Sequence, residues 1–269
     1  MIFAGLDLSR PRIMGIINVT PDSFADAGET FGHSQAIDRG LQHVNEGADI
    51  IDVGGESTRP GAASVSVEEE CRRILPVVEA LVGRNVPVSV DTRHAEVMIA
   101  GLKAGARVIN DVSALSHDQR SLEVAAIHGA DVILMHMRGS PDTMASHTTY
   151  WDVVSEVRDY LQGRLKICWE AGIWPERLCV DPGIGFAKTP SQNFELLDRL
   201  QDLAVLQRPI LVGVSRKFGL DKPPEERLDY SLSLAFLAIK NGARLVRVHD
   251  VAATRRALDM WLSHGNEVK

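Results

Sequence analysis

The 269-residue sequence predicts an α/β chain, a single (β/α)8 barrel with a short N-terminal extension, and three observations carry that expectation. Eight short runs rich in Val and Ile recur along it, at 13–19, 49–55, 87–92, 107–113, 131–137, 178–184, 209–215 and 244–250. They are mostly continuous in apolar character rather than alternating, as expected of strands covered on both faces. Each is followed by a polar turn and a segment with helical spacing, and eight such units favour a closed parallel barrel over an open sheet. The third observation is a repeated junction: EGAD at 46–49, AGAR at 104–107, HGAD at 128–131 and NGAR at 241–244. A glycine after a helix and a small residue before a strand make a tight turn at the bottom of a barrel.

The elements follow in order. Residues before the first run form the extension. After the second run, SVEEECRRILPVVEALVG places Ile74, Val77, Val78 and Leu81 on one helical face. WDVVSEVRDYLQGRLKICWEAG repeats the pattern with Val153, Val157, Leu161 and Leu165, and its Gly172 suits a helix C-cap. A helix over 225–240 ends SLSLAFLAIK, apolar around much of its circumference. An outer-ring helix needs one polar face, so this surplus predicts a second buried face, in a homodimer through the last helices or, alternatively, against a neighbouring helix of the same chain. No linker or charge block divides the chain, which reads as one domain over 1–269. It contains no dinucleotide-binding glycine fingerprint and no nucleotide phosphate loop.

Composition narrows the function. A net charge of -7 argues against a nucleic-acid binder that works by neutralising phosphates, although a local cationic pocket can still take an anionic small molecule. Cys71, Cys168 and Cys179 lack metal-ligand spacing and read as idle thiols of a reducing cytoplasm. The start MIFAGLDLSRPR does not resemble a signal peptide, and no apolar run approaches the ~20 residues of a membrane span. A cytoplasmic enzyme with no membrane partner is expected.

In such a barrel the chemistry sits where the strands end at their C-termini. Polar residues gather there: Asn18 before TPDSF, Asp52 before GGESTRPG, Asp91, Asn110 with Asp111, His136, Asp181, the SRK that includes Lys217, and Arg247 with His249 and Asp250. A lone Asp at a strand end usually caps a helix or forms a turn. Polar groups on all eight strands at one rim point to a single functional site.

IMGIINVTPDSF, DIIDVGGESTRPGA, VPVSVDT, VINDVSAL, ILMHMRGSPDTM, DPGIGFAK, GVSRK and RVHDV, in this order, closely resemble dihydropteroate synthase, a pterin-binding TIM-barrel family. The likeness spans nearly the whole chain, and NVTPDSF and GGESTRPG are its most specific segments. It implies a transferase of folate biosynthesis that joins 6-hydroxymethyl-7,8-dihydropterin diphosphate to p-aminobenzoate, releasing diphosphate. By the same resemblance Asp91, Asn110 and Asp181 read the pterin edge, Lys217 reaches a ring acceptor, and Met135 and Phe186 form apolar walls. Arg247 and His249 belong to the anion pocket and, with Lys217, carry the catalysis. Asn18 would bind Mg2+ together with the diphosphate, and Thr58, Arg59 and Pro60 would frame the aminobenzoate, helped by Asp22, Ser23 and Phe24. A pterin-dependent methyltransferase and a catalytically silent pterin-binding paralogue are the alternatives. The chain departs from the family after SRK, where Phe218 stands in place of the usual Ser and the following segment is shorter. That change predicts weakened p-aminobenzoate binding.

Overall fold

The computed structural model describes residues 1–20, 29–58, 64–218 and 222–263. A hairpin of β1 (Ile2–Phe3) and β2 (Leu6–Asp7) precedes eight parallel strands: β3 (Arg12–Asn18), β4 (Ile50–Gly54), β5 (Val88–Asp91), β6 (Val108–Asp111), β7 (Asp131–Met135), β8 (Leu178–Asp181), β9 (Leu211–Val212) and β10 (Leu245–Val248). Their order is β8-β7-β6-β5-β4-β3-β10-β9, and a parallel bridge between Val180 and Ile210 closes the ring. Every run expected to be a strand is one. The run at 209–215 yields only two paired residues, because Pro209 has no N–H to donate and Gly213 ends the ladder.

The strands alternate with α1 (Glu29–Asn45), α2 (Val67–Val82), α3 (Ala95–Lys103), α4 (Ser121–Ile127), α5 (Val153–Glu170), α6 (Pro190–Asp198), α7 (Leu228–Lys240) and α8 (Val251–Ser263). Local chemistry sets their starts. Ser66 Oγ accepts from Glu69 N at the head of α2, and Thr189 and Gln192 make a reciprocal capping box before Pro190 of α6. The four Gly-Ala junctions share one geometry. Gly47, Gly105, Gly129 and Gly242 have φ of 99°, 100°, 60° and 107°. The following N–H reaches back five residues, as in Ala106 N to Gly101 O (3.0 Å) and Ala243 N to Ala238 O (2.9 Å), so the last helical carbonyls are satisfied as the chain turns into the barrel. The helix expected from 225 begins as a 3-10 turn, Pro224–Arg227, and becomes α7 only at Leu228.

Strand residues split into two sets by period two. Ile51, Val53, Val88, Val90, Ile109, Val132 and Leu134 face outward and pack with Ile74, Val77, Val78 and Leu81 of α2, among others. Met14, Ile50, Val108, Ile133, Cys179, Leu211 and Leu245 face the barrel axis as an apolar bottom tier, and Phe3 and Leu8 of the extension pack beneath it. Above that tier the same alternation turns Asp52, Ser89, Asn110, Met135, Asp181, Gly213 and Arg247 inward. The interior therefore passes from apolar at the bottom to polar at the top. Among the described residues, no helix is long and apolar enough to cross a membrane.

Candidate active site

Asp52 organises one side of the polar tier. It is fully buried, and its Oδ2 accepts from Arg247 Nε (2.6 Å) and Asn110 Nδ2 (3.0 Å). Arg247 also donates through Nη2 to Asp91 Oδ2 (2.7 Å). Four strand ends are thus tied into one network, with the plane of the guanidinium fixed by two carboxylates. The other Asp52 oxygen, Oδ1, is buried without a hydrogen-bond partner among the described residues. Burial pushes the Asp91 carboxyl up to about 7, against the pull of Arg247.

The second half is built by the turn after β8. Asp181 Oδ1 accepts from Gly183 N (2.7 Å), and Lys217 Nζ donates to Ile184 O (2.6 Å) while standing 4.6 Å from the Phe186 ring centre. Burial raises the Asp181 carboxyl, with Lys217 opposing, and lowers the Lys217 ammonium to about 8, with Asp181 opposing. Met135, Met137, Val112, Met144 and Ala187 form an apolar cluster against which Phe186 packs. A Cβ at Gly213 would stand 3.8 Å from both Lys217 Nζ and the Arg247 Cβ, so this glycine keeps the strand from filling the space between the two cations.

His249 is held at the rim by Ser215, whose Oγ accepts from His249 N (3.1 Å) and shares a hydrogen bond with Nδ1 (3.0 Å). Asn18 ends β3, partly exposed. Thr58 is partly exposed, and no hydrogen bond joins it to the others among the described residues. Arg59 and Pro60, with Asp22, Ser23 and Phe24, lie outside the described residues.

The structure thus brings Asp91, Asn110 and Arg247 together through Asp52, and Asp181, Lys217 and Phe186 through one turn. Sequence reasoning placed Asp52 at the rim but gave it no role, and it passed over Gly213. Both leave a signal: a carboxylate inside the apolar run IIDVG, and a glycine inside PILVGV. The neighbouring polar residues at the strand ends have other duties. Asp111 faces outward and caps the next loop through Ser113 N (2.7 Å) and Leu115 N (2.9 Å), and Asp250 pairs with Arg216 (2.7 Å).

Residues 14–249 match the family described as pterin binding enzyme. The dihydropteroate synthase of Escherichia coli K12 is 49% identical over 258 residues, covering 94% of this chain and 91% of the relative. The chain belongs to the dihydropteroate synthase family. The family member from Haemophilus influenzae is 44% identical over 266 residues, covering 97% of this chain and 96% of the relative. The Xanthomonas albilineans dihydropteroate synthase, solved with 4-aminobenzoic acid, superposes with a TM-score of 0.91 at 46% identity, covering 97% and 96% of the two chains. Another structure of that synthase, in complex with 7,8-dihydropteroate, gives a TM-score of 0.88 at 44% identity, covering 97% and 95%. Dihydropteroate synthase relatives this similar across the barrel leave no place for the methyltransferase alternative.

Proposed function

We propose that this chain is a transferase that condenses 6-hydroxymethyl-7,8-dihydropterin diphosphate with p-aminobenzoate to give 7,8-dihydropteroate and diphosphate, in folate biosynthesis. The observation that carries the reading is the inward tier of Asp52, Asp91, Asn110, Asp181, Lys217 and Arg247, in a chain 49% identical to a dihydropteroate synthase. A pterin edge presents donors and acceptors in a row, and buried carboxylates and a carboxamide read it. Ligands that lack the edge are rejected, because those groups would be left unpaired.

In the reaction the amine nitrogen attacks the exocyclic methylene carbon and the C–O bond to diphosphate breaks. The bonding pair leaves with the diphosphate, and the surplus amine proton passes to solvent. An arylamine is a nucleophile at neutral pH, so no strong protein base is required. Asp91, Asn110 and Asp181 hold the pterin, with Lys217 on a ring acceptor. Met135 and Phe186 wall the ring, and Arg247 and His249 face the departing charge. Stabilising that charge is the main catalytic contribution. The aminobenzoate role is given to Thr58, Arg59 and Pro60, with Asp22, Ser23 and Phe24, on the family resemblance of their segments alone.

Mg2+ fits this rim. Among the described residues, no cluster of three His, Cys, Asp or Glu side chains could hold a metal. The donor on offer is the Asn18 carboxamide oxygen, a hard ligand suited to an ion that keeps most of its waters. Bound there with the diphosphate, Mg2+ would neutralise phosphate charge. A homodimer through α7 and α8 agrees with the exposed Tyr230 and Met260, although Phe236 and Trp261 pair within the chain (ring centres 6.3 Å apart) and absorb part of the apolar surplus of α7. The three free thiols, two of them buried, suit the cytoplasm.

The deciding experiment measures diphosphate release from the pterin diphosphate with and without p-aminobenzoate. Release that requires the arylamine is expected. Pterin binding without any release would make the chain a silent binder.

A further inference from the structure

Lys188 is 8% exposed and makes no ion pair among the described residues, an unusual state for a lysine. Its ammonium meets a cage of acceptors: His136 Nδ1 at 2.9 Å, Phe186 O at 2.9 Å, Gly183 O at 3.0 Å and His136 O at 3.5 Å. An ammonium carries three donors, and the three short bonds use all of them. While Lys188 is charged, His136 Nδ1 is the acceptor and the ring is neutral; burial pulls the Lys188 ammonium down to about 7, with Asp181 opposing. Burial and the adjacent ammonium push the His136 imidazolium down to about 2, consistent with that state. The ring is 2% exposed and stands edge-on to Tyr160, with ring centres 5.0 Å apart.

The turn that Lys188 grips is not one the backbone adopts freely. Gly183, Gly185 and Ala187 have φ of 70°, 84° and 50°, so every second residue is left-handed and one of them carries a side chain. Such a conformation persists when its surroundings over-determine it. Lys188 draws the carbonyls of Gly183 and Phe186 to one side of the turn. The Ile184 carbonyl between them is bound instead by Lys217 Nζ, at 2.6 Å. The Gly183 N–H is left aimed at Asp181 Oδ1 at 2.7 Å. A Cβ at Gly183 would lie 2.0 Å from His136 O, so β7 and this turn are in direct backbone contact where Lys188 bridges them.

We infer that Lys188 is a positioning residue for the pterin subsite: its buried ammonium, clamped between His136 and the 183–186 turn, sets the orientation of Asp181, Phe186 and Lys217. The inference rests on the pterin-reading role given to those residues above. It assigns work to a lysine whose place in DPGIGFAK, two residues after an aromatic and just before a helix cap, otherwise reads as a solvated side chain.

The test is Lys188→Met, which keeps the length and removes the donors. Calorimetric binding of 6-hydroxymethylpterin and steady-state kinetics with each substrate varied separately are measured beside a melting curve. Pterin affinity is expected to fall about tenfold, as for loss of a hydrogen bond made by a charged group, with a matching rise in KM for the pterin diphosphate. KM for p-aminobenzoate should stay within about twofold, since its subsite does not depend on this bond. A purely structural lysine would lower the melting temperature and the active fraction, and hence kcat, while leaving both KM values unchanged; that result overturns the proposal, as does an equal rise in both. Should the variant not fold, His136→Phe keeps an aromatic ring against Tyr160 and removes both imidazole nitrogens, the Nδ1 partner of Lys188 among them. It should weaken pterin binding about threefold, and unchanged binding overturns the proposal. Absence of diphosphate release by the parent enzyme would instead refute the catalytic reading, and the calorimetric comparison would still judge Lys188.

Discussion

Replacing Asp52 with Ala removes the acceptor that Arg247 and Asn110 share, from a site with no exposure to water. Deleting one partner of a buried ion pair typically costs ~3–5 kcal/mol, because the other charge is left behind. Arg247 keeps Asp91 at 2.7 Å, and its side chain is 20% exposed, so the lower end applies, at ~3 kcal/mol. For a chain of this size that lowers the melting temperature by ~6–12 °C. Asn110 and Arg247 lose their orientation together; with the roles proposed above, that predicts a fall of about tenfold in affinity for the bare pterin through Asn110, and roughly a further tenfold for the pterin diphosphate through Arg247. Asp52→Asn keeps the volume and one acceptor oxygen, and should lose about half as much stability. Scanning calorimetry reads the first quantity and titration with 6-hydroxymethylpterin the second. An Ala variant that melts within about 2 °C of the parent and binds pterin normally would show that Asp91 alone holds Arg247, and the reasoning fails.

Three further predictions follow from the same geometry. With p-aminobenzoate saturating, kcat/KM for the pterin diphosphate should fall as pH drops through about 7, where Asp91 protonates and loses the charge that pairs with Arg247, and again as pH rises through about 8, where Lys217 loses its charge; Asp91→Asn should remove the acid limb, and a profile flat from pH 6 to 9 would refute both assignments. Chelation of Mg2+, or Asn18→Ala, should weaken the diphosphate substrate much more than the bare pterin alcohol, and equal losses in a binding titration would make Asn18 structural. The Phe218 ring packs on Phe194, with ring centres 5.2 Å apart, so Phe218→Ser trades that aromatic contact for a hydroxyl; KM for p-aminobenzoate should drop about tenfold if the hydroxyl meets the carboxylate, whereas an unchanged value means another group already holds it.

The barrel was readable because both faces of its strands are buried, which makes each one a short apolar run that a helix then interrupts. Its bounds slipped where main-chain chemistry outweighs hydropathy, at Pro209 and Gly213, which cut β9 to two residues, and at Pro224–Arg227, which delays α7. The site was readable only in part, for a related reason. Period-two alternation decides which polar residue enters the barrel, and it is hidden when the outward face is apolar too. Asn110 and Asp111 are adjacent and look alike in the sequence, yet one joins Arg247 through Asp52 and the other caps a loop. Registering each run against the bottom tier separates them: counting two from Val108 reaches Asn110, two from Ile50 reaches Asp52, and two from Cys179 reaches Asp181.

That count also explains why the apolar bottom and the polar top belong to one design. A polar tier open at its upper end would be hydrated from below as well if the barrel were unfilled, and its ion pairs would then weaken as the local dielectric rose. Met14, Ile50, Ile133, Leu211 and Leu245, sealed beneath by Phe3 and Leu8, remove that route. Burial on this floor keeps Asp91, Asp181 and Lys217 displaced from their ordinary pKa values, with each carboxylate near a cation and the Oδ1 atom of Asp52 still unpaired. A ligand that brings its own row of donors and acceptors can satisfy such groups. The N-terminal extension, packed beneath the apolar tier through Phe3 and Leu8, therefore contributes to the electrostatics of the polar tier by closing the lower end of the barrel.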